Sequence, residues 1–297
     1  MGQGDPRRED RAAVNPTAGG QMPVPPDVSA RRHAFRQLHK SGCFVIPNPW
    51  DVGSARYLQG LGFKALATTS SGAAWRIAKA DGQLTLNETL AHLREMVAAT
   101  ELPVNADFES GFAPDAAGVA RNVKLAMDTG VAGISIEDST GDPGEPLRDI
   151  ASAVERMQAA RGAIDEAGGE ALLVARAENF IVGRPDLQDV VRRLKAYADA
   201  GADCLYAPGI KTREQIAAVV AAVAPKPFNL LIGFATELTM SDIEALGVRR
   251  VSVGGALARS AWGGFMRAAE MIAKGGKFDG LAEAASGGEL NTLFLKG

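Results

Sequence analysis

The sequence predicts an α/β fold: a (β/α)8 TIM barrel with an extra helix at its C-terminal end. Three observations predict it. Eight short β-branched runs alternate with long amphipathic stretches, and strands separated by helices make βαβ units and a parallel sheet. The units fill about 230 residues, the size of such a barrel. Polar residues gather at the ends of the runs, as in Asn48-Pro49-Trp50-Asp51, Thr69-Ser70-Ser71-Gly72, Asp107-Phe108-Glu109, Glu137-Asp138, Arg176-Ala177-Glu178 and Asn229. A doubly wound sheet could use the same units, but it would bring together only the strands near its switch point. A barrel brings all eight ends around one mouth.

In chain order, residues 1–27 read as a flexible tail. They hold five of the fifteen prolines and no apolar periodicity. Asp27 or Ser29 then caps a short helix that buries Phe35 and Leu38. The strand runs are 43–46, 65–69, 104–107, 133–137, 172–176, 204–207, 228–231 and 251–254. The helical patterns between them include 86–99, 116–128, 150–167, 187–200, 213–223 and 241–246. Before four of the strands, Gly62, Gly130, Gly201 and Gly247 end a helix, because the left-handed position after a helix carries no penalty without a Cβ. A further helix over 262–274 presents Trp262, Phe265, Met266, Ala269 and Ile272, and Gly275-Gly276 ends it. A last segment over 286–295 carries Leu290, Leu293, Phe294 and Leu295. The expected organisation is thus the tail and one barrel domain over 28–297 with a helical extension. The apolar stripe of the extension needs a surface, either its own barrel or a neighbouring subunit.

Composition narrows the function. Net charge is −3 over 297 residues, which argues against nucleic acid as a partner. No apolar run approaches the roughly 18 residues of a membrane span. The first ten residues have no apolar core of a secretory signal. Two cysteines, Cys43 and Cys204, form neither a disulfide framework nor a zinc site. A reducing cytoplasm is the expected location.

Four carboxylates, Asp107, Glu109, Glu137 and Asp138, end adjacent strands three and four. Like charges on one rim repel unless a cation joins them. Hard oxygen ligands without His or Cys favour Mg²⁺, with Mn²⁺ as the alternative. Arg176 ends an otherwise apolar strand; it can fork onto a carboxylate or phosphate, and can also pair with Glu178 or Glu137. The small residues of Ser70-Ser71-Gly72-Ala73 allow backbone N–H groups close to an anion. Asp81 lies beyond them, as a remote metal ligand or a helix-initiating residue. His33, His39 and His92 fall on helices away from the strand ends and read as surface residues. Cys43 and Cys204 read as core positions of strands one and six. No nucleophilic triad, Walker motif or dinucleotide fingerprint is present.

Together, Pro47-Asn48-Pro49-Trp50-Asp51, Thr69-Ser70-Ser71-Gly72, Asp107-Phe108-Glu109-Ser110-Gly111, Gly133-Ile134-Ser135-Ile136-Glu137-Asp138 and Ala175-Arg176-Ala177-Glu178 resemble the isocitrate lyase/phosphoenolpyruvate mutase superfamily over residues 35–262. The resemblance implies a (β/α)8 barrel whose last helix is often exchanged between subunits of a homodimer or homotetramer. It implies Asp107 as the direct Mg²⁺ ligand, with Asp81, Glu109 and Glu137 holding waters of the metal. Arg176, Glu137 and Asp81 would be the catalytic set. Trp50, Ser71 and the amides of Gly72 and Ala73 would bind the substrate with Arg176 and Asn229. Substrates would be small 2-oxo acids or relatives, including phosphonates, in which a C–C or P–C bond breaks through an enolate held by the metal.

Two departures refine this expectation. The lyases carry a Lys-Lys-Cys-Gly-His type loop after strand four, and the mutases a Lys-Thr-Asn element. Here residues 139–147 read Ser-Thr-Gly-Asp-Pro-Gly-Glu-Pro-Leu, without cysteine, histidine or lysine. The Asp-x-Glu pair at 107 and 109 replaces the usual Asp-x-Asp. The leading expectation is a Mg²⁺-dependent C–C lyase or decarboxylase of an oxaloacetate type. A P–C mutase or phosphonopyruvate hydrolase is the alternative, and a non-catalytic 2-oxo acid binder the third reading.

Overall fold

The structure is a computed structural model and describes residues 28–295. The expected tail and Asp27 lie outside the described residues. In chain order the elements are α1 (Val28–Leu38), β1 (Phe44–Ile46), α2 (Val52–Gly60), β2 (Leu66–Ala67), α3 (Ser70–Arg76), α4 (Leu86–Ala99), β3 (Val104–Asp107), α5 (Ala116–Met127) and β4 (Gly133–Glu137). There follow α6 (Ile150–Glu166), β5 (Leu172–Arg176), α7 (Leu187–Asp199), β6 (Cys204–Tyr206), α8 (Arg213–Val223), β7 (Phe228–Leu231), α9 (Met240–Ala245), β8 (Arg250–Ser252), α10 (Ala256–Gly275) and α11 (Gly287–Leu295).

The eight strands form one parallel sheet in the order β1-β8-β7-β6-β5-β4-β3-β2, a (β/α)8 barrel. The seam between β1 and β2 has no ladder. It is bridged by Ala67 N–H donating to Pro47 O at 3.1 Å and by Asn48. The Asn48 amide donates to Thr68 O at 2.9 Å, and its oxygen accepts from Val253 and Gly254 N–H, each at 2.9 Å. The Pro-Asn-Pro motif therefore closes the barrel.

Local sequence places the helices. Every helix from α2 to α9 begins on Asp or Thr, namely Asp51, Thr69, Thr85, Asp115, Asp149, Asp186, Thr212 and Thr239, whose side chain accepts from the first turn. Losing one such cap costs about 1 kcal/mol. Gly62, Gly130, Gly201 and Gly247 take φ between +83° and +101° before their strands, as their positions predict. The outward strand faces and inward helix faces share one core, with Val104, Ile134, Leu173, Leu205 and Val251 among its members.

Helix α1 closes the floor. Phe35 is fully buried against Ile46, Ala65, Ala67 and Leu172. A Cβ on Gly133 would lie 2.7 Å from its ring, so glycine there admits the plug.

Several expectations are corrected. Ser29 lies inside α1 and its hydroxyl donates to Glu170 rather than capping the helix. Helix α2, whose end Gly62 marks, had no predicted start, and α3 was not anticipated; both are short and rich in glycine, serine or alanine, so their periodicity is faint. His39 and His92 are buried, not at the surface. The His39 ring packs edge-on against Phe35 and Phe44 at centroid distances of 4.7 and 5.2 Å. Cys204 is buried in β6, whereas Cys43 precedes β1 and is half-buried. Helix α10 is longer than expected and ends at Gly276 with φ +59°. It buries only Ala258 and leaves Trp262, Phe265, Met266 and Ile272 exposed. No described helix is long and apolar enough to cross a membrane.

Candidate active site

Strands β3, β4 and β5 end at Asp107, Glu137 and Arg176. The register sets Glu137 beside Arg176, and parallel partners point to the same side of a sheet. The Arg176 guanidinium uses all three nitrogens. Its Nη1 donates to Asp107 Oδ1 at 2.7 Å and its Nε to Glu178 Oε1 at 2.9 Å, while Nη2 lies 3.2 Å from Glu137 Oε2. Its carbon stands 5.2 Å from the centre of the Tyr206 ring. Burial works against its charge, yet Glu178, Glu137 and Asp107 hold its pKa well above the ordinary value.

The second Asp107 oxygen accepts from Ser70 N–H at 2.9 Å, and Thr68 Oγ1 accepts from Asp107 N–H at 2.8 Å. Ser70 also donates from its hydroxyl to Asp81 at 3.2 Å, which brings Asp81 to the edge of the cluster. Glu109 sits in a left-handed turn with φ +47°. Its carbonyl accepts from Glu137 N–H at 2.9 Å, and one carboxyl oxygen is buried without a partner. Burial, then Asp107, Glu137 and Asp81, push the Glu109 carboxyl up to about 8. Glu137 is raised chiefly by burial, against the pull of Arg176. Burial likewise pushes Glu178 up to about 8. Arg156 on α6 braces the Glu109 turn by donating to the Ser110 and Ala113 carbonyls.

Among the described residues, no three His, Cys, Asp or Glu side chains converge as direct ligands on one ion. The donor set still fits a hard divalent cation that keeps most of its waters. Asp107, Asp81, Glu109 and Glu137 supply carboxylate oxygens around one mouth, and one Glu109 oxygen there is buried without a partner.

Asp138 is not part of this cluster. Its side chain is fully buried on the α7 side and accepts from Glu178 N–H at 2.9 Å, Arg193 at 3.1 Å and Tyr197 Oη at 2.5 Å. Adjacent strand residues face opposite ways, so Glu137 and Asp138 could not both reach the mouth.

The Ser70-Ser71-Gly72-Ala73 segment is the first turn of α3. Ser71 Oγ lies 3.0 Å from Thr69 Oγ1. A Cβ on Gly72 would approach Trp50 Cβ to 2.8 Å, so glycine lets α3 lie against Trp50 at the rim. The amides of Gly72 and Ala73 already donate to Thr69. Asn229, expected to line the pocket, has no exposed surface and lies deeper in the barrel. Loop 139–147 folds on itself through Thr140 N–H to Pro146 O at 3.0 Å and the Thr140 hydroxyl to Glu145 O at 2.6 Å. Tyr206 and Arg156 escaped sequence reasoning. An inward position at the end of strand six was the available signal for Tyr206; nothing local marked Arg156.

A model of phosphoenolpyruvate phosphomutase matches residues 35–273. The chain belongs to that family. This agrees with the superfamily read from the motifs. Among relatives of known name, the oxaloacetate decarboxylase of Bradyrhizobium sp. (strain BTAi1) is 31% identical over 233 residues, 75% of this chain and 77% of that one. The crystal structure of a candidate lyase/mutase from Burkholderia cenocepacia J2315 superposes with a TM-score of 0.88 at 45% identity, covering 91% of this chain and 98% of that one. Another family resemblance is to phosphonopyruvate hydrolase complexed with oxalate and Mg²⁺, with a TM-score of 0.79 at 27% identity, covering 90% and 95% of the two chains.

Proposed function

We propose that the protein is a Mg²⁺-dependent decarboxylase or C–C lyase of a small 2-oxo diacid, with an oxaloacetate-like acid as the substrate. The observation that carries this reading is the Arg176 cluster. It joins one permanently charged, bidentate anion holder to the carboxylates Asp107, Glu137 and Glu109 at a single mouth. The similarity to an oxaloacetate decarboxylase supports it, as does the likeness to a structure that holds oxalate and Mg²⁺.

In this reading Asp107 holds the cation directly, and Asp81, Glu109 and Glu137 hold its waters. Bound there, Mg²⁺ supplies Lewis-acid stabilisation of negative charge on the 2-oxo oxygen. Arg176 forks onto a substrate carboxylate, its plane set by Glu178 and the Tyr206 ring. Ser71 donates to the same substrate from the α3 side, and Trp50 walls the pocket. The bond to the departing carboxylate breaks, CO₂ leaves, and its electron pair passes to the enolate, which takes a proton at carbon. Loop 139–147 offers only hydroxyls and exposed carboxylates for that proton, and water can supply it.

The alternative, cleavage of a P–C bond, rests on the phosphonopyruvate hydrolase likeness. A turnover screen with oxaloacetate, isocitrate, methylisocitrate and phosphonopyruvate separates the two. Chelator-sensitive CO₂ release from oxaloacetate supports the proposal. Phosphate release from phosphonopyruvate with no CO₂ from oxaloacetate replaces it with the alternative.

A further inference from the structure

Arg176, Tyr206, Asn229 and Arg250 are successive register partners across β5, β6, β7 and β8. Barrel strands tilt against the axis, so a row drawn across the register descends as it passes round the barrel. Its upper end is Arg176 among the mouth carboxylates. Its lower end is Arg250, among the largest fully buried side chains.

Arg250 makes no ion pair among the described residues. Its Nε donates to Asn229 Oδ1 at 2.7 Å, and its Nη1 stands 3.5 Å from both Asn105 Oδ1 and His39 Nε2. His39 Nδ1 faces the Phe35 carbonyl at 2.8 Å. A carbonyl only accepts, so Nδ1 carries the hydrogen and Nε2 turns its lone pair to Arg250. A guanidinium without a counter-ion is costly to bury, and its retention here calls for a role.

That role is to impose direction. A guanidinium only donates, so the Asn229 oxygen must face Arg250. The Asn229 amide nitrogen then donates to Ser252 Oγ, at 2.9 Å. Ser252, having accepted there, still has its own hydroxyl hydrogen to give; burial raises the pKa of the Tyr206 phenol, and Arg176 and Ser252 are the neighbours that pull it down. The Tyr206 ring is the one that underlies Arg176.

We infer that Arg250 and Asn229 are positioning residues of the active site, fixing through Ser252 the Tyr206 ring on which the Arg176 guanidinium rests. The inference rests on the reading of Arg176 as the anion holder, and it gives Asn229 a task away from the substrate.

Two variants test it. Asn229→Asp keeps the acceptor for Arg250 and adds a counter-ion, so the fold is retained or strengthened, but it removes the donor to Ser252. Ser252→Ala breaks the next link without touching Arg250. The first readout is the Arg176 Nε–H resonance of the ligand-free ¹⁵N-labelled protein, assigned with Arg176→Lys; it needs no substrate and no turnover. The second is oxalate affinity in the presence of Mg²⁺, by calorimetry. The inference expects the resonance to move in both variants and oxalate to bind about 10-fold more weakly, as misplaced anchors do. It expects no further loss in the double variant, because both changes cut one route, and recovery in Ser252→Thr. An unmoved Arg176 resonance with oxalate affinity unchanged in both variants would overturn it, whatever the wild-type protein turns over.

Discussion

Arg176 Nη1 donates to Asp107 Oδ1 at 2.7 Å, so the cation of the mouth and the strand-end acid proposed to hold the metal are in direct contact. Arg176 does not depend on that contact alone. Glu137 and Glu178 also pair with it. Asp107→Asn therefore removes the proposed metal ligand while leaving two carboxylates on the buried guanidinium and relieving repulsion with Glu109. The expected result is loss of Mg²⁺ binding by calorimetry and loss of turnover, with the cooperative thermal transition retained. Retained Mg²⁺-dependent turnover would contradict the assignment.

Asp138 behaves in the opposite way. Its carboxylate is fully buried between Arg193, Tyr197 and the Glu178 amide. Breaking a buried pair of this kind costs about 3 kcal/mol or more, with Asp189 left to hold Arg193. Asp138→Ala should lower the urea midpoint sharply, whereas Asp107→Asn should not. Equal stability of the two variants would show that Asp138 has been misplaced.

His92 gives the protein an acid sensitivity. Burial, then Arg76, lower its pKa to about 4 from the ordinary 6.5, and neither ring nitrogen has a partner. The unfolded chain therefore binds a proton between these values that the folded chain refuses. Stability from this group is complete above pH 6.5 and is lost as pH falls towards 4. Unfolding free energies of His92→Leu, measured by urea titration across this range, should depend less on pH than those of the wild type. Parallel curves would contradict the burial of a neutral ring.

Helices α10 and α11 and the segment between them leave Trp262, Phe265, Phe278, Leu290 and Leu295 exposed, apolar surface of the kind that marks a contact between chains. Light scattering should report a dimer or tetramer, and Phe265→Glu should shift it towards monomer. A wild-type monomer at micromolar concentration would refute this.

Much of the barrel was legible because its signals are local. Strands β3, β4, β5 and β7 keep the bounds that their apolar runs suggest. Depth was not legible. Asn229 and Arg176 are both polar residues on inward strand faces, yet strand tilt sets one inside the barrel and the other at its mouth. The separation of Glu137 from Asp138 follows from strand alternation alone and was available to the sequence. The burial of His39 and His92 depends on which face of α1 and α4 meets the barrel, and their flanking residues do not announce it. Arg156 reaches the site from α6, 46 positions beyond the Ser110 carbonyl it holds, so only the fold reveals it.

The central claim concerns which bond breaks. Cleavage of isocitrate or methylisocitrate calls for a positioned acid, which contributes about 10²–10⁴-fold in rate. Residues 139–147 contain no cysteine, histidine or lysine. Loss of CO₂ from a 2-oxo diacid makes the smaller demand, since water can protonate the enolate. The deciding measurement is kcat/KM for oxaloacetate, isocitrate and methylisocitrate at saturating Mg²⁺ on one preparation of the full chain. The account predicts the highest value for oxaloacetate; a larger value for either lyase substrate would contradict it.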